Sequence, residues 1–227
     1  MWIKICGNTN LDDAQMAAAL GADAVGFVFA PSVRQTTPAD VARITPHLPS
    51  TVERIGVFPA VEAEEIVRAA QQAGLSAVQL HGGVSLTLLQ QLHKLFEGRI
   101  KIVQTLHWQI DADAASSVSV AHQLSEISQQ SIVERVLIDS KIGQATGGTG
   151  ISFDWSAAHS VLSDAAAKLS IIVAGGLRPD NVAEAIRRLN PWGVDVASGV
   201  EAKPGQKDPE KVAAFIANVR SSKNSAA

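Results

Sequence analysis

Short apolar, β-branched runs recur along the chain, and each is followed by a stretch whose apolar residues return every three or four positions. The runs fall at residues 3–5, 24–29, 54–58, 77–80, 100–105, 135–138, 171–174 and 194–197. Their centres lie about 22 to 36 residues apart, the length of one strand–helix unit. Several runs are apolar throughout instead of alternating, which suits parallel strands covered on both faces. Between them, Leu88, Leu89, Leu92, Leu95 and Phe96 keep helical spacing, as do Val182, Ala185, Ile186 and Leu189, and Val212, Phe215, Ile216 and Val219. Asp208-Pro209-Glu210 reads as a helix start: an N-cap carboxylate, a proline at the first helical position and an acid in the first turn. Gly74 and Gly98 stand where helices should stop. Residues 110–130 are Ser-rich, yet Ile110, Ala114, Val118, Ala121, Leu124 and Ile127 predict a helix there.

Eight such units predict an α/β fold, a single (β/α)8 TIM barrel with a parallel eight-stranded core, spanning residues 1–220 and followed by a frayed tail at 221–227. The competing fold is an open doubly wound sheet. It would want a Gly-rich dinucleotide turn after its first strand, and Cys6-Gly7-Asn8-Thr9-Asn10 lacks that pattern.

Composition narrows the classes of function. A chain of 227 residues buries roughly 70% or more of its unfolded surface and needs no covalent staple. The single cysteine excludes a disulfide scaffold and fits a reducing, cytoplasmic setting. A net charge of −3 offers no footprint for nucleic acid or an anionic membrane. No apolar run approaches a membrane span, and the opening residues turn polar at Gly7-Asn8-Thr9-Asn10, too soon for a signal peptide. The expected partner is a small molecule, with no nucleic acid and no membrane, and the expected state is a monomer or weak homodimer.

A barrel keeps its reactive groups at the C-terminal ends of its strands. Those ends carry Cys6-Gly7, Ser32-Val33-Arg34, His81-Gly82, Asp139-Ser140, Gly175-Gly176 and Ser198-Gly199-Val200-Glu201. Adjacent glycines let backbone N–H groups approach an anion, and the loops after strands 7 and 8 are the usual phosphate site of such barrels. Gly175-Gly176 alone also fits a tight turn; Ser198-Gly199 at the matching place favours phosphate. Cys6 reads either as a buried core thiol or as a reactive one. Lys4 shares its strand face, and a nearby ammonium favours the thiolate. An interior Lys4 would need a partner, and in a closed barrel Asp195 on the neighbouring last strand is the candidate.

Asp139 fits both a turn cap and a general acid whose pKa is raised by an apolar setting. Arg34 fits a solvated charge and a fork for a substrate carboxylate. His81 fits a substrate contact or a tie between loops. His47, His93, His107, His122 and His159 read as solvated, on helices or loops. No set of side chains has zinc-ligand spacing, so no metal is expected. Gly147-Gly148-Thr149-Gly150 misses the phosphate-loop pattern and reads as a flexible lid.

Together these blocks resemble the phosphoribosylanthranilate isomerase family of tryptophan biosynthesis. The resemblance is carried by Lys4-Ile5-Cys6-Gly7-Asn8-Thr9-Asn10, residues 21–29, Ser32-Val33-Arg34, Ile55-Gly56-Val57-Phe58 and Val78-Gln79-Leu80-His81-Gly82. It continues through Leu137-Ile138-Asp139-Ser140, Gly147-Gly148-Thr149-Gly150 with Phe153-Asp154-Trp155, Ala174-Gly175-Gly176-Leu177, residues 194–201 and Pro204-Gly205-Gln206-Lys207-Asp208. The resemblance implies a barrel without metal or organic cofactor. It also implies an Amadori rearrangement of N-(5′-phosphoribosyl)anthranilate to the 1-deoxyribulose phosphate. By the same resemblance Cys6 is the general base, Asp139 the general acid and Arg34 the contact for the anthranilate carboxylate. Phosphate falls to the backbone at Gly175, Gly176, Ser198 and Gly199. A ribulose-phosphate epimerase-like barrel would want a metal site or paired acids. An indole-glycerol-phosphate synthase-like one would want an added lysine/glutamate set, and a non-catalytic phosphometabolite binder would need neither Cys6 nor Asp139.

Overall fold

Runs that are apolar on both faces can bury both only if one face lines a barrel interior and the other lies under helices. The computed structural model, which describes residues 1–59, 61–83, 85–109, 113–130, 132–141 and 155–222, adopts this arrangement. Eight parallel strands close in chain order: β1 (Trp2–Ile5), β2 (Ala24–Val28), β3 (Glu53–Phe58), β4 (Ala77–Leu80), β5 (Lys101–Gln109), β6 (Arg135–Lys141), β7 (Ser170–Val173) and β8 (Gly193–Val196). The helices between and after them are α1 (Leu11–Ala19), α2 (Pro38–Ala42), α3 (Ala63–Gln72), α4 (Leu86–Phe96), α5 (Asp113–Gln130), α6 (Trp155–Ala165), α7 (Val182–Leu189) and α8 (Pro209–Ser222). A small antiparallel hairpin, β9 (Glu201–Lys203) with β10 (Gln206–Lys207), follows the last barrel strand. Among the described residues no helix is long and apolar enough to cross a membrane. Residues 147–150, read above as a lid, lie outside the described residues, as do Phe153 and Asp154.

The helix signals act as their chemistry dictates. Asp208 Oδ1 accepts hydrogen bonds from the backbone N–H groups of Glu210 and Lys211, starting α8 at Pro209. α8 continues through Ser222, and residues 223–227 lie outside the described residues. The periodic residues of α7, Val182, Ala185, Ile186 and Leu189, are all buried. The Ser-rich helix is present as α5, but its packed stripe is Val120, Leu124 and Ile127, whereas Val118 is 73% exposed.

Two strands run further than the apolar runs suggest. β5 continues through Leu106-His107-Trp108-Gln109, because alternation places Leu106 and Trp108 under the helical layer, where both are buried. His107 is therefore a half-buried strand residue, not a solvated one, and is the register partner of Asp139. β6 continues through Asp139-Ser140-Lys141, so Asp139 belongs to the strand.

The barrel interior is layered. At the N-terminal end Trp2 and Trp192 stack with ring centroids 5.3 Å apart, and the Arg135 guanidinium lies over both rings. Glu53 bridges Arg135 and Lys101, closing that end with charge-assisted bonds. Above lies a polar layer. Lys4, 1% exposed, donates to Asp195 Oδ1 at 3.1 Å and to Gln79 Oε1 at 2.8 Å, and Gln79 Nε2 donates to Thr105 Oγ1 at 3.0 Å. The pairing expected from closing β1 against β8 is present, with Lys4 and Asp195 in register.

Removing one member of a buried pair strands the other. Lys4→Met is expected to lower stability by about 3–5 kcal/mol, and adding Asp195→Asn to recover most of the loss, as read from urea unfolding midpoints.

Candidate active site

The C-terminal ends of the strands open onto a cavity of about 410 Å³, within the usual range for small-ligand sites. Cys6, Arg34, His81 and Asp139 line it, and so do Gly175, Gly176, Ser198 and Gly199. Every candidate named from the sequence thus reaches one space.

Cys6 follows β1 and is 7% exposed, buried yet part of the cavity wall. The neighbouring strand makes room for it: a Cβ on Gly26 would stand 2.7 Å from the Cys6 sulfur and 2.8 Å from Lys4 Cε. Lys4 pulls the Cys6 pKa down, as its place on the same strand face suggests, but it does not prevail. Burial pushes the Cys6 thiol above its ordinary value and the Asp195 carboxylate adds to the push, outweighing the downward pull of Lys4 and Lys207. Burial outweighs the lysine, with the paired aspartate assisting, so the resting sulfur is protonated.

Asp139 sits at the end of an apolar strand, in the wall of the same cavity. Loss of solvent, aided by the nearby Asp195, raises its pKa to about 7 against the pull of Lys4 and a backbone hydrogen bond from Ser140. A carboxyl poised near neutrality can donate or accept a proton at physiological pH.

Arg34 is neither a free fork nor a solvated charge. Its Nε and Nη2 donate to the two oxygens of buried Glu201, each at 2.7 Å. Hydrogen bonding to Glu201 raises the Arg34 pKa and, against burial, holds the glutamate below the usual carboxylate range. The Nη1 side makes no hydrogen bond to a described protein group, on a residue that lines the cavity. His81 packs edge-on to His107, centroids 4.9 Å apart, so two imidazoles stand where the sequence offered one.

At β7 and β8 the backbone comes close. Gly175 has φ +82°, and a Cβ there would fall 2.1 Å from Ser140 Oγ. A Cβ on Gly199 would fall 1.9 Å from the Leu177 carbonyl oxygen, so the loops after β7 and β8 approach this closely because residue 199 is glycine. Among the described residues no group of three His, Cys, Asp or Glu side chains is placed to hold a metal ion.

Sequence reading missed His107, Glu201 and Lys207. His107 was hidden because His-Trp-Gln reads as polar, although Trp108 faces the helices. The other two fall inside blocks that carry the family resemblance, but no role was read for either, since charges around Pro204-Gly205 look like an ordinary solvated turn.

A closed (β/α)8 barrel with one thiol, one near-neutral carboxyl and glycine-rich ends on strands 7 and 8 defines an acid–base enzyme of the phosphosugar-barrel class. The profile of the N-(5′-phosphoribosyl)anthranilate isomerase family matches residues 3–218, and the chain belongs to that family. An N-(5′-phosphoribosyl)anthranilate isomerase of Pelobacter propionicus is 38% identical over 216 residues, 94% of this chain and 93% of that one. The crystal structure of the Thermotoga maritima phosphoribosylanthranilate isomerase superposes with a TM-score of 0.81 at 36% identity, covering 97% of this chain and 99% of that one. A further solved isomerase, in complex with reduced 1-(o-carboxyphenylamino)-1-deoxyribulose 5-phosphate, gives 0.78 at 34% identity over the same shares.

The raised Asp139 pKa has a cost. Between its unfolded value near 3.8 and its folded value near 7 the native state binds the extra proton, so stability falls as pH rises through that window. Asp139→Asn is expected to be more stable than wild type at pH 8 by up to about 4 kcal/mol, and the difference to vanish below pH 4, in denaturant titrations at the two pH values.

Proposed function

We infer that this chain performs its family's isomerisation with Asp139 as general acid and Cys6 as general base. The observation that carries the reading is that both groups border one cavity, from strands three positions apart around the ring. The substrate is N-(5′-phosphoribosyl)anthranilate. Asp139 gives its proton to the furanose ring oxygen while the anthranilate nitrogen pushes its lone pair to C1′. The C1′–O bond breaks, leaving a protonated Schiff base. Cys6 thiolate then removes the C2′ proton, forming an enolamine, which takes a proton at C1′ while its C2′ hydroxyl releases one, giving the ketone of the 1-deoxyribulose product of tryptophan biosynthesis.

Each catalyst is worth roughly 10²–10⁴-fold when held in place. Holding it in place falls to the two ends of the substrate. The closely packed backbone at Gly175, Gly176, Ser198 and Gly199 supports a phosphate site there, with N–H groups as donors. The uncommitted side of Arg34 supports contact with the anthranilate carboxylate, and His81 borders the same space. The described site residues belong to one chain, which supports activity as a monomer or weak homodimer. A single domain of residues 1–220 carries the reaction, and one cysteine in a biosynthetic family supports a cytoplasmic setting.

The working protonation state is acid protonated and base ionised, the reverse of the order that the two pKa values favour. This minor form grows with pH until Asp139 ionises, holds constant, and declines once Cys6 ionises. The expected profile of kcat/KM is a bell with its lower limb near pH 7 and its upper limb above the ordinary thiol range. Cys6→Ala and Asp139→Asn are each expected to lower kcat by about 10²-fold or more with KM nearly unchanged, followed by loss of anthranilate fluorescence. Near-normal turnover in either variant removes that residue from the mechanism.

A further inference from the structure

The acid–base pair leaves a second cluster of buried charge unexplained. Glu201, at the start of β9, accepts at Oε1 from Arg34 Nε, from Lys207 Nζ at 3.2 Å and from the Gly205 backbone N–H at 3.3 Å. Its Oε2 accepts from Arg34 Nη2. The Lys207 side chain is 0% exposed and donates its other close hydrogen bond to the Ala197 carbonyl at 3.1 Å. The hairpin that carries both is fastened to the loop after β1 and to α1: Thr9 Oγ1 donates to the Gly205 carbonyl at 2.6 Å, and the Lys207 backbone N–H donates to Asp13 Oδ2 at 2.9 Å.

An arginine gripped by a glutamate is a neutral pair, and its field on a nearby anion nearly cancels. Such a pair would orient a substrate carboxylate but attract it weakly. Lys207 changes the sum: two cations and one anion leave a net charge of +1 beside the cavity. Stability gives no reason for the added lysine, since a buried ion pair is seldom better than apolar packing of the same shape.

We propose that Glu201 and Lys207 are positioning residues for aryl-carboxylate recognition, Glu201 fixing the Arg34 guanidinium and Lys207 restoring the unit of positive charge that Glu201 removes. Neither touches the substrate; both act through Arg34. The proposal rests on the reading of Arg34 as the carboxylate contact and extends it from one residue to a charge-balanced triad.

The test compares two probes on the intact chain: 1-(2-carboxyphenylamino)-1-deoxyribitol 5-phosphate and its phenylamino counterpart without the carboxylate. The ratio of their dissociation constants, measured by calorimetry, is the carboxylate preference. It is insensitive to a general loss of packing, which weakens both probes alike. Lys207→Met brings the triad to net zero and is expected to lower the preference about tenfold, with KM rising more than kcat falls. The double variant Glu201→Gln with Lys207→Met returns the net charge to +1 and is expected to regain at least half of that loss on a logarithmic scale. A Lys207→Met preference within about twofold of wild type, or a double variant no better than Lys207→Met, overturns the proposal. Should Lys207→Met fail to fold, the same one-charge step is read between Glu201→Gln and the double variant; a lower preference in the double supports the triad and an equal one overturns it. Arg34→Met separates the two layers of inference. If it leaves the preference intact, the reading of Arg34 fails and the triad with it; if it abolishes the preference while Lys207→Met does not, the triad alone fails.

Discussion

Closure of the sheet brings the first strand beside the last, and at that seam a buried lysine faces a buried aspartate. The pair is needed twice over. It satisfies two charges inside an otherwise apolar tube, where either alone would be costly. It also stands beneath both reactive groups, so its two ends act on Cys6 and Asp139 in opposite senses. Burial lifts both pKa values; the lysine restrains the lift and the aspartate augments it. The interior layer therefore sets the chemical character of the mouth without taking part in the reaction.

The two ends of the barrel divide the work. At one, Trp2, Trp192, Arg135 and Glu53 form a closed plug of aromatic and ionic contacts with no cavity role. At the other, glycines bring loops together closely enough that backbone lines the wall, and the side chains there are the polar ones. The groups proposed as acid, base and anchor depart from ordinary chemistry in different ways: a carboxyl raised to about 7, a thiol pushed above its usual value, and an arginine whose one face is already occupied.

The eight units were legible because the barrel imposes two periodicities that tolerate little noise, apolar runs for the strands and a three-to-four spacing for the helices. Cys6, Asp139 and the strand 7 and 8 glycines were legible for a related reason, since a residue at a strand's end has only one place to go. The failures have a common cause. The ends of β5 and β6, the protonation of Cys6 and the occupation of Arg34 all depend on neighbours distant in the chain. Lys4 was correctly placed beside Cys6 and acts in the sense expected, but the net result required knowing how completely the fold buries the sulfur. Arg34 was correctly placed at the mouth, but nothing near it in sequence announces Glu201.

That last contact joins residues 167 apart in the chain, and the seam pair joins residues 191 apart. Local segments can fold as they leave the ribosome, but contacts of such separation wait for their second half. The hairpin holding Glu201 and Lys207 is made 167 residues after the arginine it steers. A nascent chain short of that hairpin holds its sulfur, its carboxyl and its glycine loops, yet no assembled grip on an aromatic acid. Selectivity at this mouth is thus a property of the closed barrel and not of any local segment.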